Sequence, residues 1–283
     1  MKNLLRLLLL SVVLWPGKML GDDTQSLLRP VTSAYTFNWG QAQVADTYLS
    51  PLIYNGWNVG FSYSRMQAMK FSPQKWVMEL TIGVNGSRTR NKAKNAVYWQ
   101  GELNAEWAMM HRWRFPFRLT VGVGCFTGIQ AGAIYTTRNG NNPVAAKGSW
   151  FLGPKAYATY GFKIRKTPAL VRWEGSMPAI GMFLSPQFGE LYYEMYLGNR
   201  KGLIHPAWFG NFVKLNNEVS IDFNFGSAAL RVGYKSTIYS TQVNHITTRI
   251  VTNSLVLGVV TEWMSLRHSR VPGENTRVIS ALY

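Results

Sequence analysis

Residues 57–64 have the sequence WNVGFSYS, in which large apolar residues alternate strictly with small polar ones. Trp57, Val59, Phe61 and Tyr63 occupy the odd positions, and Asn, Gly, Ser and Ser lie between them. Successive side chains of a β-strand point to opposite faces, so the stretch predicts a strand with one aromatic face and one small polar face. Any antiparallel sheet can carry such a strand, and the rest of the chain has to show which way each face points.

The same alternation recurs in further segments between residues 76 and 263, and their charged residues share one face. The charges accompany Gly, Ser and Asn, and none of them shares a face with the aromatic residues. Because a slip of one residue in a strand would exchange its two faces, the agreement between segments indicates one common orientation. The candidates for this interior face are Glu79, Glu102, Glu106, Arg118, Lys155, Lys163, Arg172, Glu174, Asp222, Arg231, Lys235 and Glu262.

Two architectures could use such strands, a soluble sandwich or barrel and an outer-membrane barrel. In the first the apolar face points inward, and in the second it meets lipid while the polar face lines the lumen. A polar face rich in Gly and Ser, tryptophans near segment ends and strands of roughly 9 to 15 residues favour the second. The aromatic candidates for lipid contact are Trp57, Phe61, Tyr63, Trp76, Trp99, Trp107, Trp150, Trp173 and Trp263.

The amino terminus predicts export. Residues 1–21 have the features of a signal peptide, with Lys2 and Arg6 before an apolar run and Gly21 at the expected cleavage site. The run is too short for a stable transmembrane helix. The one cysteine of the chain, Cys125, cannot form an intrachain disulfide or build a metal cluster. We therefore expect a single domain at residues 22–283 in the outer membrane of a Gram-negative bacterium.

The chain of 283 residues is strongly basic, with a formal net charge of +17. Its basic residues are spread along the sequence instead of being gathered on one arm, which argues against nucleic acid as a partner. The densest cluster, Arg88 to Lys94, is interpreted as a loop tip. We expect loop arginines and lysines to contact the phosphates of lipopolysaccharide and other outer-membrane lipids.

The spacing of the segments predicts a topology. Short links alternate with longer basic loops up to about residue 175, which is typical of outer-membrane barrels. Counting strands from residues 32–40 to a last strand at 276–283 predicts twelve, with ten as the alternative. Residues 178–214 lack clean alternation, and we expect one more strand there, at about 189–197, plus a segment that enters the lumen or covers its mouth. The aromatic Tyr283 resembles the terminal sorting signal that the barrel-assembly machinery reads.

Several phrases of the sequence resemble a known family. They include DTYLSPLIYNGWNVG, MMHRWRFP, SPQFGELYYEMYLGN, STQVNHITTRI and RVISALY, and the resemblance extends over nearly the whole mature chain. The family is the uncharacterised domain-of-unknown-function family 3316. Membership implies an outer-membrane type of barrel and implies no activity, so no catalytic residue is transferred.

The sequence offers little catalytic chemistry. The nearest approach to a nucleophile with a base is Ser240, Asn244 and His245, without the motifs of known outer-membrane hydrolases. None of the four histidines has a metal-ligand spacing. We therefore predict no catalytic residues, no metal and no cofactor.

The twelve interior candidates comprise six acids and six bases, which predicts a salt-bridged and largely filled lumen. The leading hypothesis is a non-enzymatic barrel that is structural or forms a narrow, plugged route for small solutes. The alternatives are an outer-membrane lipid-modifying hydrolase and a periplasmic lipocalin-like binding barrel.

Overall fold

The fold is described by a computed structural model of the chain. No helix among the described residues is long and apolar enough to cross a membrane. The predicted signal peptide at residues 1–21 lies outside the described part of the chain. The described residues are 27–140, 142–186, 197–198, 202–226, 228–263 and 277–282.

The described chain is built from β-strands joined by short turns. Most strands are 13 to 21 residues long, which is longer than the strands of typical soluble sheets. The strands are β1 (Leu27–Leu28), β2 (Val31–Asp46), β3 (Ser50–Ala68), β4 (Trp76–Asn91), β5 (Val97–Arg114), β6 (Leu119–Thr136), β7 (Val144–Ile164), β8 (Thr167–Ser176), β9 (Ile180–Leu184), β10 (Ile204–Trp208), β11 (Phe212–Asn224), β12 (Ala228–Val243), β13 (Ile246–Trp263) and β14 (Arg277–Val278).

Ten of these strands close into an antiparallel barrel. Strands β2 to β8 follow one another around the ring, then β11, β12 and β13, and β13 pairs with β2. The predicted all-β antiparallel barrel is therefore confirmed, with the alternative count of ten strands in the ring. We call the end at which β2 begins and β13 ends the lower end, and the opposite end the upper end.

The strands tilt strongly against the barrel axis. A row of direct cross-strand partners can be followed once around the ring. It starts at Gly175 of β8, passes through β11, β12, β13 and β2 to β6, and arrives at Val144 of β7. The direct partner of Gly175 in β7 is Ala156, twelve residues further along that strand (156 minus 144). For ten strands this shear corresponds to a tilt of about 40°.

Strands β9 and β10 lie outside the ring of ten. They form an antiparallel hairpin, and β9 continues the direction of β8 along the upper part of β7. Residues 178–186 and 202–214 of the segment without clean alternation therefore contain this hairpin and the start of β11. The additional strand expected near residues 189–197 lies almost entirely outside the described residues.

Two details of the predicted topology are wrong. The last strand of the ring is β13, and Arg277–Val278 instead pairs in parallel with Leu27–Leu28. Residues 277–282 lack the alternation that a barrel wall requires. The side chain of Arg112, inside the barrel, donates hydrogen bonds to two of their carbonyl groups. The cluster Arg88 to Lys94 is only in part a loop tip, because β4 extends to Asn91 and carries Arg88 and Arg90 on the barrel wall.

Candidate functional site

The centre of the lumen holds a cluster of four charges, which we call the central cluster. The ammonium group of Lys155 lies 3.1 Å from Glu79 Oε2 and 2.6 Å from Glu174 Oε1. The guanidinium group of Arg172 contacts Glu79 at 3.1 Å and also pairs with Glu174. Glu79 projects from β4, and its partners come from β7 and β8, so the cluster joins opposite walls of the barrel. Its two positive and two negative charges cancel.

Three further ion pairs neutralise interior charges. Arg231 Nε lies 2.7 Å from Asp222 Oδ1, and a second bond joins Arg231 Nη2 to Oδ2 at 2.8 Å. The two residues are direct cross-strand partners in β12 and β11. The other pairs are Lys214 with Glu106, at 3.3 Å, and Lys147 with Asp46, at 2.6 Å. These six charges are thus paired, as burial demands.

A small cavity adjoins the central cluster. Its volume is about 110 Å³, and both charged and hydroxyl side chains line it. Glu102, Glu218 and Lys235 line the cavity together with members of the ion pairs. A polar space of this size suits a few water molecules.

Above the charges, apolar and aromatic side chains fill the lumen. Phe212 is the centre of this upper layer, with ring centroids 6.2 Å from Phe151, 5.6 Å from Phe183 and 5.7 Å from Tyr239. All four side chains are buried. On the opposite wall the rings of Tyr54 and Tyr98 stack with centroids 3.6 Å apart. The upper layer separates the charged centre from the upper mouth.

The lower mouth is occupied by residues 277–282, which we call the tail. Arg112 is buried and binds the tail through Nη1, which donates to the carbonyl groups of Ser280 and Ala281 at 2.8 Å each. Its Nε and Nη2 donate to the carbonyl groups of Gln74 and Pro73 in the link before β4. Arg112 therefore fastens the tail to the barrel wall.

The segment before β2 strengthens the same mouth. Ile279 donates its backbone N–H to the carbonyl of Leu28, which extends the parallel pairing of β1 with β14. Arg29 Nη1 donates to the carbonyl of Ala68 at 2.9 Å, and burial lowers the pKa of its guanidinium group. Ile279 and Leu282 are themselves buried. Two segments far apart in the sequence thus meet at the lower mouth.

Replacing Arg112 by Met should release the tail. The change removes four charge-assisted hydrogen bonds, and losing even two of them costs about 3 kcal/mol, which corresponds to roughly a hundredfold. We expect amide hydrogen exchange in residues 277–282 to become about a hundredfold faster in R112M. R114M is the matched control, because exposed Arg114 makes a single bond to Ser280, and a comparable acceleration in R114M would contradict the role of Arg112.

The structure brings nine of the twelve predicted interior charges into the lumen. Arg118 and Lys163 are exposed at the lower end, where Arg118 occupies a turn with a φ of 61°. Glu262 is exposed near the end of β13 and accepts a hydrogen bond from Ser280. These three lie where strands end, and the alternation of a strand does not fix side chains beyond it. The nine in the lumen are Glu79, Glu102, Glu106, Lys155, Arg172, Glu174, Asp222, Arg231 and Lys235.

Eight of the nine predicted aromatic residues lie on the outer wall. Tyr63 is half-buried against the ring of Tyr35, and Trp76 is half-buried against the ring of Phe71. The side chain of Trp263 lies outside the described residues. The exposed members are Trp57, Phe61, Trp99, Trp107, Trp150 and Trp173.

Sequence reasoning missed five interior charges, Asp46, Arg112, Lys147, Lys214 and Glu218. Lys214 and Glu218 share the parity of Asp222, so extending the alternation of β11 toward its start would have found them. Asp46 and Lys147 lie at the upper ends of β2 and β7 and hydrogen-bond to Thr248 there.

The residues considered for hydrolysis are not assembled into a site. Asn244 and His245 form the two-residue turn between β12 and β13, with φ values of 51° and 61°. Ser240 has the outward parity of β12, and exposed His245 makes no hydrogen bond to it among the described residues. The described residues also hold no group of three His, Cys, Asp or Glu that could bind a metal ion.

Solved structures with a similar shape are outer-membrane barrels. The outer membrane protease OmpT from Escherichia coli has 6% identity, covers 83% of this chain and 97% of its own, and gives a TM-score of 0.44. The transport unit of the autotransporter AIDA-I from Escherichia coli has 8% identity. The match covers 91% of this chain and 97% of that one, with a TM-score of 0.42. The translocator domain of the autotransporter NalP from Neisseria meningitidis has 12% identity. The match covers 93% of this chain and 95% of that one, with a TM-score of 0.37. Likeness at this level carries no argument about activity.

The sequence comparisons are more specific. No curated protein matches the chain. The model of a family described as "Protein of unknown function (DUF3316)" matches residues 4–270, which is most of the sequence. The chain therefore belongs to the DUF3316 family.

Proposed function

We propose that the protein is a non-enzymatic β-barrel of the outer membrane with a structural role and a lumen closed to solutes. The observation that carries the proposal is the filling of the interior in three layers. Aromatic side chains fill the upper part, neutralised ion pairs fill the centre, and the tail occupies part of the lower mouth, beside a cavity of about 360 Å³ that Leu282 helps to line. The cavity that adjoins the central cluster has a volume of about 110 Å³, which is room for a few water molecules.

The outer wall supports a membrane location. Large apolar side chains from every strand of the ring are exposed on it, including Phe37, Leu103, Ile129 and Leu257. A soluble monomer rarely exposes apolar patches larger than a few hundred Å². A lipocalin-like barrel would bury these residues and expose the charges, which is the opposite of the observed arrangement. Lipid is the solvent that fits this wall.

Basic residues at the upper end support contact with lipopolysaccharide phosphates. Arg88 and Arg90 face outward on β4, and Arg249 faces outward on β13. The guanidinium of Arg88 lies over the ring of Trp99, 5.3 Å from its centroid. None of the three forms an ion pair within the described residues. Phosphate groups would supply the missing anions.

Single-channel recording in planar bilayers tests the closed lumen. We expect the wild-type protein to insert without conductance steps. A variant that lacks residues 277–283 and carries Phe151→Ala and Phe212→Ala should conduct weakly, because the tail and part of the upper layer are removed and the polar, hydrated centre then lies across the lumen. The variant with the tail deletion alone is the control and should stay silent, since the upper layer persists. Steady conductance by the wild-type protein would contradict the proposal.

The lipid-modifying hydrolase is the alternative that sequence reasoning left open. No constellation among the described residues favours it.

A further inference from the structure

The outer wall carries a row of polar side chains, which we call the amide row. Gln41, Asn253, Ser236 and Asn217 are direct cross-strand partners on four neighbouring strands, β2, β13, β12 and β11. All four have outward parity, and the three amide side chains are exposed. Four adjacent strands thus present uncharged hydrogen-bonding groups on the face that otherwise suits lipid.

The depth of the amide row follows from the tilt of the barrel. The same hydrogen-bonded row continues to Trp57 and Arg88, and it rises by about 3 Å at each strand for a tilt near 40°. If Arg88 marks the headgroup level, Asn253, three strands away, lies about 9 Å below it, and Asn217, five strands away, lies about 15 Å below it. Phe223 lies six residues, about 15 Å, below Asn217. The row therefore crosses the middle of an apolar belt about 25 Å tall.

The polar groups of the amide row are only partly satisfied within the described residues. Trp173 Nε1 donates to Asn217 Oδ1 at 2.8 Å, and the Tyr234 hydroxyl donates to Asn253 Oδ1 at 3.0 Å. The amide nitrogens of Asn217 and Asn253 and the whole side chain of Gln41 have no such partner. Lipid tails offer no hydrogen bonds, so leaving these groups against them is costly. A protein surface would remove that cost.

The opposite wall shows what an ordinary lipid-facing surface of this barrel looks like. At similar depths β5 and β6 expose Leu103, Trp107 and Ile129, with the free thiol of Cys125 somewhat lower. The amide row is thus confined to one side of the ring.

The amide row fits a second copy of the same chain. A primary amide both donates and accepts, and a two-fold rotation about the membrane normal makes the two rising rows cross near their middle, where Asn253 and Ser236 would meet their own copies. Leu255, Tyr234 and Trp39 on one side of the row and Val251 and Ile238 on the other would pack around it. We propose that two barrels associate within the membrane through the face formed by β11, β12, β13 and β2. The inference rests on the proposed membrane-spanning function and adds a partner to it.

Disulfide crosslinking of the full-length protein in phospholipid vesicles tests the interface. In a Cys125→Ser background, Ser236→Cys lies near the centre of the row and should give a crosslinked dimer on mild oxidation. The wild-type protein is the control, because Cys125 lies on the opposite wall, about 7 Å lower but still within the apolar belt, and should crosslink at least tenfold less. Equal crosslinking at both positions, or none at Ser236→Cys, would overturn the proposal.

A second variant separates the interface from folding. Asn217→Leu combined with Asn253→Leu removes hydrogen-bonding groups and adds apolar surface, so folding into lipid should persist. We expect dimerisation to weaken at least tenfold, measured by energy transfer between labelled barrels as lipid dilutes them. Unchanged dimerisation would refute the role of the row. Failure of the wild-type protein to insert into vesicles would instead refute the proposed function, so the two failures are distinguishable.

Discussion

Replacing Lys155 by Met is expected to lower the free energy of unfolding by about 3 to 5 kcal/mol, because it leaves the buried carboxylate of Glu79 with one cation shared with Glu174. Lys155 is buried and contacts both carboxylates, so no water can replace its charge at low cost. Urea titration in lipid vesicles, followed by tryptophan fluorescence, measures the change.

The matched variants identify charge balance as the cause. Adding Glu79→Gln to Lys155→Met leaves one acid and one base in the central cluster, and most of the lost stability should return. Lys70→Met, at an exposed position in the link between β3 and β4, should change stability by less than about 0.5 kcal/mol. If the double variant is less stable than Lys155→Met, the central cluster does not act as a neutral unit.

Truncating Phe212 to Ala should be equally damaging, for a different reason. Its ring is buried at the centre of the upper layer, and its removal leaves a cavity lined by Phe151, Phe183 and Tyr239. Large-to-small changes of this kind cost about 3 to 5 kcal/mol. The same urea titration measures the loss.

Two substitutions serve as controls for Phe212→Ala. Phe212→Leu keeps most of the volume and should cost less than half as much as Phe212→Ala. Phe209→Ala, three residues earlier in an exposed turn, should cost no more than about 1 kcal/mol. Equal losses in Phe212→Ala and Phe209→Ala would show that the upper layer does not pack as a unit.

Alternation is enough to predict the barrel. A period of two is a local property of the sequence, and it places Glu79, Lys155 and Arg172 on the polar faces of their strands. It cannot predict that these three side chains meet. Lys155 and Arg172 lie on the neighbouring strands β7 and β8, but Glu79 lies on β4, and only the shear of the closed ring determines which levels of opposite walls coincide.

The filled interior is harder to predict because aromatic and charged side chains share the inward face of the strands. Tyr54 and Tyr98 have the interior parity of β3 and β5, yet an aromatic residue on the polar face looks like an interruption of the pattern. Lys214 was missed because the preceding segment has no clean alternation. The tail has no periodicity at all, and its position depends on contacts with Arg112, some 170 residues away in the sequence.

The pairing of β13 with β2 also has a consequence for how the chain folds. Thr248 and Asp46 are partners across roughly 200 residues of sequence, so the ring can close only after every intermediate strand has been added. Contacts of such large sequence separation form slowly. The tail contacts Arg112 and Leu28 inside a mouth that exists only once the ring is shut. Folding should therefore end with a separate late step, in which the barrel wall is complete before its lower mouth is closed.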